Sequence, residues 1–165
     1  MDLFKTKRIV IRLFQDSDFE SLKKMMSDNE VMQYTGFKKP QPDERILELL
    51  SQWKNEGENQ LGVWAAEEIE TRNFIGWFML KTTISSDPEL GFMLEKNQWR
   101  KGFATEIAKG FLNYAFSKMD IKRVLASVNI TNTASLKVLK KLVMRQCEEQ
   151  KNDTAIIYFE IFSSK

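Results

Sequence analysis

The sequence predicts an α/β fold of the α+β kind, with a mixed, mostly antiparallel sheet flanked by helices. Three strand-like segments, Leu61–Ala66, Phe74–Thr83 and Glu89–Glu95, follow one another through turns at Thr71-Arg72-Asn73 and Asp87-Pro88. These connections are too short for crossovers, so the segments read as an antiparallel meander. The longest helical pattern comes next, over Lys101–Lys118, with Ile107, Phe111, Tyr114 and Ala115 on a shared face. Strand and helix patterns alternate beyond it, giving the order β-α-α-β-β-β-α-β-α-β-β.

The first strand is read at Arg8–Phe14 from its β-branched content. Ser17, with Glu20 three residues later, has the form of a capping box. It opens a helix that puts Phe19, Leu22, Met25 and Met26 on one face. A short helical piece, Glu30–Tyr34, and a loop, Gly36–Pro42, follow. Asp43–Lys54 reads as a helix through Ile46, Leu49, Leu50 and Trp53. After the long helix, Arg123–Val128 reads as a strand. Thr131–Leu142 reads as a helix with Asn132 or a neighbouring Thr as its N-cap. Met144–Gln150 and Ala155–Phe162 close the chain as two strands around Lys151-Asn152-Asp153. No repeat, linker or low-complexity run divides the 165 residues, so one domain over 1–165 is expected.

Composition narrows the chemistry. A net charge of +2 argues against nucleic-acid binding, and the apolar runs are too short to span a bilayer. Met1–Phe14 does not resemble a signal peptide. One cysteine, Cys147, excludes an internal disulfide framework and suits a reducing cytoplasm. Histidine is absent, which removes Ser-His-Asp and Cys-His catalysis and leaves too few soft ligands for zinc. Acid–base work falls to carboxylates, Tyr, Lys, hydroxyls or water.

Between the third meander strand and the long helix lies Asn97-Gln98-Trp99-Arg100-Lys101-Gly102-Phe103-Ala104-Thr105-Glu106. Two basic side chains and small residues at a helix start suit a phosphate, because the first turn leaves N–H groups unpaired and carries partial positive charge. Taken alone, this stretch reads better as an ordinary basic strand-to-helix turn.

Three segments together resemble the GNAT acyl-CoA N-acyltransferases over nearly the whole chain, closest to the RimJ/RimL-type branch. Thr6-Lys7-Arg8-Ile9-Val10-Ile11-Arg12-Leu13, with Asp16, Asp18 and Ser27-Asp28-Asn29-Glu30-Val31-Met32, resembles that branch's opening pattern. Glu89-Leu90-Gly91-Phe92-Met93-Leu94 and Trp99–Glu106 resemble its strand-loop-helix motif. Asn132-Thr133-Ala134-Ser135-Leu136-Lys137-Val138-Leu139-Lys140-Lys141-Leu142 resembles its Asn-x-x-Ser helix. Two departures stand out. Arg100 occupies a position where the branch usually has Gly. Val143-Met144 replaces the usual Gly-Phe, and a β-branched residue resists the left-handed helix end, so a turn of different shape is expected there.

The resemblance implies acetyl transfer from acetyl-CoA to a primary amine, a protein N-terminus or a small amine. It implies Arg100, Lys101, Gly102, Phe103, Ala104 and Thr105 around the pyrophosphate. It places backbone groups near Phe92, Met93 and Leu94 along the pantetheine, with Asn132 bonding that arm. Glu89 would be the base and Ser135 would orient the sulfur or relay a proton to it. Each has a plainer reading: Glu89 as a strand-start carboxylate, Ser135 as a helix-start hydroxyl, Asn132 as an N-cap. Tyr34, Tyr114 and Tyr158 are alternative acids or packing residues. Cys147 reads as core rather than nucleophile. Trp53, Trp64 and Trp77 read as core or as pocket walls, and Lys38-Lys39 as a solvated loop. A non-catalytic acyl-CoA-binding or protein-interaction module is the alternative. No metal, nucleic acid or membrane is expected, and the C-terminal strand offers an edge for a homodimer.

Overall fold

The computed structural model describes residues 2–58, 61–83, 85–148 and 153–164. The chain opens with β1 (Asp2–Lys5) and β2 (Ile9–Arg12), then α1 (Phe19–Met26), α2 (Asn29–Met32) and α3 (Asp43–Glu56). The meander is β3 (Gly62–Glu68), β4 (Phe74–Lys81) and β5 (Glu89–Leu94). Then come α4 (Phe103–Lys118), β6 (Arg123–Asn129), α5 (Thr133–Lys141), β7 (Arg145–Cys147) and β8 (Ile156–Phe162). The strands form one sheet in the order β1-β2-β3-β4-β5-β6-β8-β7. All neighbours are antiparallel except β5 and β6.

The expected meander is present, and so are the long helix and the strand-helix alternation after it. The first strand differs: a hairpin replaces the single strand read at Arg8–Phe14. Thr6 makes the turn, its N–H donating to Ile9 O at 2.8 Å. The Ser17–Glu20 box gives way to a 3-10 turn at Asp16–Asp18, where the Asp18 carboxylate accepts from the Gln15 N–H at 2.8 Å. The short piece near Glu30 starts at Asn29, because Asp28 caps the N–H groups of Glu30 and Val31. Asn132 is the N-cap of α5, as the sequence suggested. Gln150 and the Lys151-Asn152 part of the last turn lie outside the described residues.

Strand periodicity explains the two cores. In β5, Leu90 and Leu94 pack on one face against α4 and α5, while Met93 joins α1 and α3 on the other. Phe111 of α4 centres the first core, with ring contacts to Phe4, Trp64 and Phe78 at 5.0, 5.5 and 5.8 Å. Gly110 lets β1 close on α4: a Cβ there would stand 2.6 Å from Phe4 Cε2. Trp53, Trp64 and Trp77 are all buried, so the core reading holds for them. Cys147 is only half-buried, on the outer strand opposite Tyr158, because three-residue β7 forms the sheet edge. No helix among the described residues is long and apolar enough to cross a membrane.

One buried ion cluster ties β2 to its neighbours. Arg12 grips Asp18 with two bonds of 2.8 Å and Glu67 with one of 2.7 Å. Burial works against the charge on Arg12, but the two carboxylates outweigh it and raise its pKa above the ordinary value.

The end of α5 corrects the expectation of a different turn. Val143 takes φ 60°, the conformation that glycine usually supplies. The Val143 N–H donates to Lys140 O at 3.0 Å and the Met144 N–H to Leu139 O at 3.2 Å. These are the paired bonds of a Schellman end, closed by buried Leu139 and Met144. The Val143 side chain is 82% exposed, so it bears the backbone strain without compensating packing.

Val143→Gly is expected to raise unfolding stability by about 1 kcal/mol in urea melts, as relief of that strain exceeds the added flexibility of the unfolded chain. Arg12→Met leaves Asp18 buried without its cation and Glu67 with only the exposed Arg72, 2.8 Å away, and should cost about 3–5 kcal/mol in the same measurement.

Candidate active site

Among the described residues, β5 and β6 pair at one position, Glu89 with Leu125. The Leu125 N–H donates to Pro88 O at 2.9 Å. Beyond that point the two parallel strands are not paired, and a notch opens along the later part of β5. Backbone groups alternate along a strand, so those of Phe92 and Leu94 face the notch. Leu94 O there accepts from Trp99 Nε1 at 3.0 Å. Met93 turns its N–H to β4, consistent with Glu95 N–H donating to Ile75 O at 2.9 Å. Of the three residues singled out in this strand, Phe92 and Leu94 therefore present amides to the notch, whereas Met93 contributes a buried side chain.

The chain then turns through Lys96–Gln98 into a loop with two left-handed residues, Arg100 at φ 63° and Gly102 at φ 80°. Arg100 adopts the conformation a glycine would, and its side chain is exposed. Gly102 is the N-cap of α4 and has no side chain to cap the helix. Among the described residues, no protein acceptor is bonded to the N–H groups from Arg100 to Thr105, and Glu106 is the first to close on Gly102 O, at 3.1 Å. An uncapped helix start with consecutive unpaired N–H groups fits a phosphate group. Lys101 reaches back to Gln98 Oε1 at 2.9 Å, while Ala104 and Thr105 are half-buried.

The loop is braced from the first hairpin, which sequence reasoning missed. Glu106 accepts from Thr6 Oγ1 at 2.6 Å, Arg8 N at 2.9 Å and Arg8 Nε at 2.7 Å. Arg8 Nη1 also donates to Lys101 O at 3.1 Å, and its guanidinium lies 4.5 Å from the centre of the buried Phe103 ring. Burial favours the neutral acid at Glu106, but the Thr6 and Arg8 bonds prevail and hold its pKa below the usual carboxylate value. The long sequence separation of these partners hides the contact from any local pattern.

Glu89 stands at the closed end of the notch with only 6% of its surface exposed. Its carboxylate accepts from the hydroxyls of Thr83 and Ser127. Both partners escaped the sequence reading. Ser127 leaves one signal, a polar residue within Val124-Leu125-Ala126-Ser127-Val128. Ser135 stands apart from these two donors; it lies half-buried in the first turn of α5, its N–H donating to Asn132 Oδ1 at 3.2 Å. Asn132 is thus an N-cap whose amide NH₂ is not used by that bond. Tyr114 stacks on Phe4 at 5.6 Å, Tyr158 is buried, and Tyr34 is exposed.

A mixed sheet that parts between two parallel strands, followed by an open helix N-terminus, goes with an acyltransferase class. The chain belongs to the GNAT acetyltransferases: the family model described as an acetyltransferase (GNAT) domain matches residues 8–145. The uncharacterized N-acetyltransferase YoaA of Bacillus subtilis is 26% identical over 143 residues, spanning 85% of this chain and 81% of YoaA. The solved GNAT-family acetyltransferase of Bacillus anthracis superposes with a TM-score of 0.83 at 23% identity, covering 96% of each chain. RimL, a ribosomal-protein alpha-N-acetyltransferase solved with coenzyme A, gives 0.81 at 11% identity over 98% of each chain.

The Glu106 brace carries a pH signature. Because its folded pKa is depressed, its contribution to stability is full above the ordinary value of 4.5 and is lost as pH falls through the lower folded value. Thermal melts of wild type and Glu106→Gln should differ most near neutral pH and converge in acid.

Proposed function

We propose that this chain, as one domain over residues 1–165, transfers an acetyl group from acetyl-CoA to a primary amine within the RimJ/RimL-like branch. The acceptor is a protein N-terminus or a small amine. The observation that supports this most is the parting of β5 from β6, which leads directly into the unpaired N–H groups of Arg100–Thr105. Acetyl-CoA supplies an acyl group already activated as a thioester. The loop N–H groups, with Arg100 and Lys101 beside them, bind pyrophosphate. The open amides of Phe92 and Leu94 hold the pantetheine arm and polarise the carbonyl oxygen as negative charge develops. The Asn132 amide donates to the same arm, and the Ser135 hydroxyl faces the departing sulfur.

An amine must be neutral to attack, and at neutral pH a typical aliphatic amine is protonated. Glu89 takes that proton. Its carboxylate sits at the closed end of the notch, where it accepts from the Thr83 and Ser127 hydroxyls. A reducing cytoplasm suits the single cysteine. A changed backbone at Val143-Met144, where the family has Gly-Phe, would favour the non-catalytic alternative. Val143 keeps the left-handed helix end, so the replacement does not favour it.

The test is release of free thiol from acetyl-CoA in the presence of spermidine, a short peptide with a free N-terminus and an aminoglycoside. Turnover with at least one is expected, and acetyl-CoA binding without turnover on all three would favour the non-catalytic module. Glu89→Gln should lower kcat about 100-fold with little change in the KM for acetyl-CoA; an unchanged kcat removes Glu89 as base.

A further inference from the structure

Glu89 is buried, and the Thr83 and Ser127 hydroxyls donate to different oxygens of its carboxylate. A base so enclosed lacks a clear direct approach for an amine and meets solvent through its donors. The two donors are placed differently. Thr83 lies in the connection between β4 and β5. Ser127 stands on β6, the opposite wall of the notch, two residues past Leu125 where β5 and β6 last pair. Its side chain shares a sheet face with Glu89, since Ala126 and Val128 turn to the α4 core, and Ser127 is exposed.

We propose that the Ser127 hydroxyl receives the acceptor amine and relays its proton to Glu89. This rests on Glu89 being the base. One ammonium N–H bond breaks as its proton passes to Ser127 Oγ, and the original hydroxyl proton moves to the Glu89 carboxylate. The amine is then neutral, Ser127 is again a hydroxyl and Glu89 is a neutral acid. After attack, the second proton lost from nitrogen leaves with the sulfur as CoA thiol. Glu89 returns its proton to solvent through the same hydroxyl.

The experiment compares Ser127→Ala, Ser127→Thr, Thr83→Val and Glu89→Gln with acetyl-CoA and whichever of spermidine or the free-N-terminus peptide is turned over faster. Ser127→Ala should lower kcat at neutral pH by about 10- to 100-fold, with the KM for acetyl-CoA unchanged. Its kcat should then climb towards the wild-type value as rising pH supplies free amine. Ser127→Thr restores a hydroxyl and should restore the rate, while Thr83→Val, which removes only a support of the Glu89 carboxylate, should keep the wild-type pH profile. If Glu89→Gln is slow but Ser127→Ala keeps the wild-type rate and pH profile, the relay is wrong and the base stands. If Ser127→Ala and Thr83→Val are equally slow with unaltered pH profiles, Ser127 merely supports the carboxylate and the relay is overturned. A normal Glu89→Gln removes the base assignment, and the relay goes with it.

Discussion

The single pairing of Glu89 with Leu125 is the constraint on which the cleft depends. On one side, β1 to β5 form a continuous antiparallel sheet; on the other, β6, β8 and β7 form a second. The pairing of Glu89 with Leu125, with the Leu125 N–H donating to Pro88 O, brings the halves together at the start of β5. A fully paired parallel ladder would bury the edge of Phe92 and Leu94 and leave no backbone donors for a ligand. An unjoined pair of sheets would have no fixed angle. Contact at one end and divergence beyond it produces a wedge with polar walls. The core formed with α4 and α5 includes residues from both halves, so packing keeps the wedge open.

Much of this was legible because it is local. Short connections announce the β3–β4–β5 meander, helical spacing announces α4, and Asn132 caps α5 where its chemistry suggests. The loop from Arg100 to Thr105 was legible as a helix start with small residues, and its neighbours gave it meaning. The missed features are contacts between distant segments. Glu106 reads as an ordinary first-turn acid until Thr6 and Arg8 arrive from the opening hairpin. Ser127 reads as a break in an apolar strand until β6 lies beside β5. The hairpin itself escaped because Thr6-Lys7-Arg8 lacks the Gly or Asn that usually marks a tight turn.

Two apparent departures from the family pattern share one physical resolution. Arg100 and Val143 both stand where glycine is usual, and both adopt the positive φ that glycine would supply. The fold has kept the backbone shape and accepted a strained residue. At Arg100 the side chain is exposed, so the loop retains its shape and gains a positive charge beside the unpaired N–H groups. At Val143 the side chain is also exposed, and two main-chain bonds with a buried Leu139–Met144 closure hold the turn. Sequence motifs therefore understate similarity at such sites, because they record residue identity rather than dihedral angle.

The hold of the first hairpin on the Arg100–Thr105 loop has a thermodynamic consequence. A free loop of this length would lose conformational entropy each time a ligand ordered it, and that loss would weaken binding. Here Arg8 and Glu106 fix the loop and the first turn of α4 during folding. The ordering is completed once per molecule rather than once per turnover. The pyrophosphate proposed for this loop would meet donors already aimed, and its release need not loosen them.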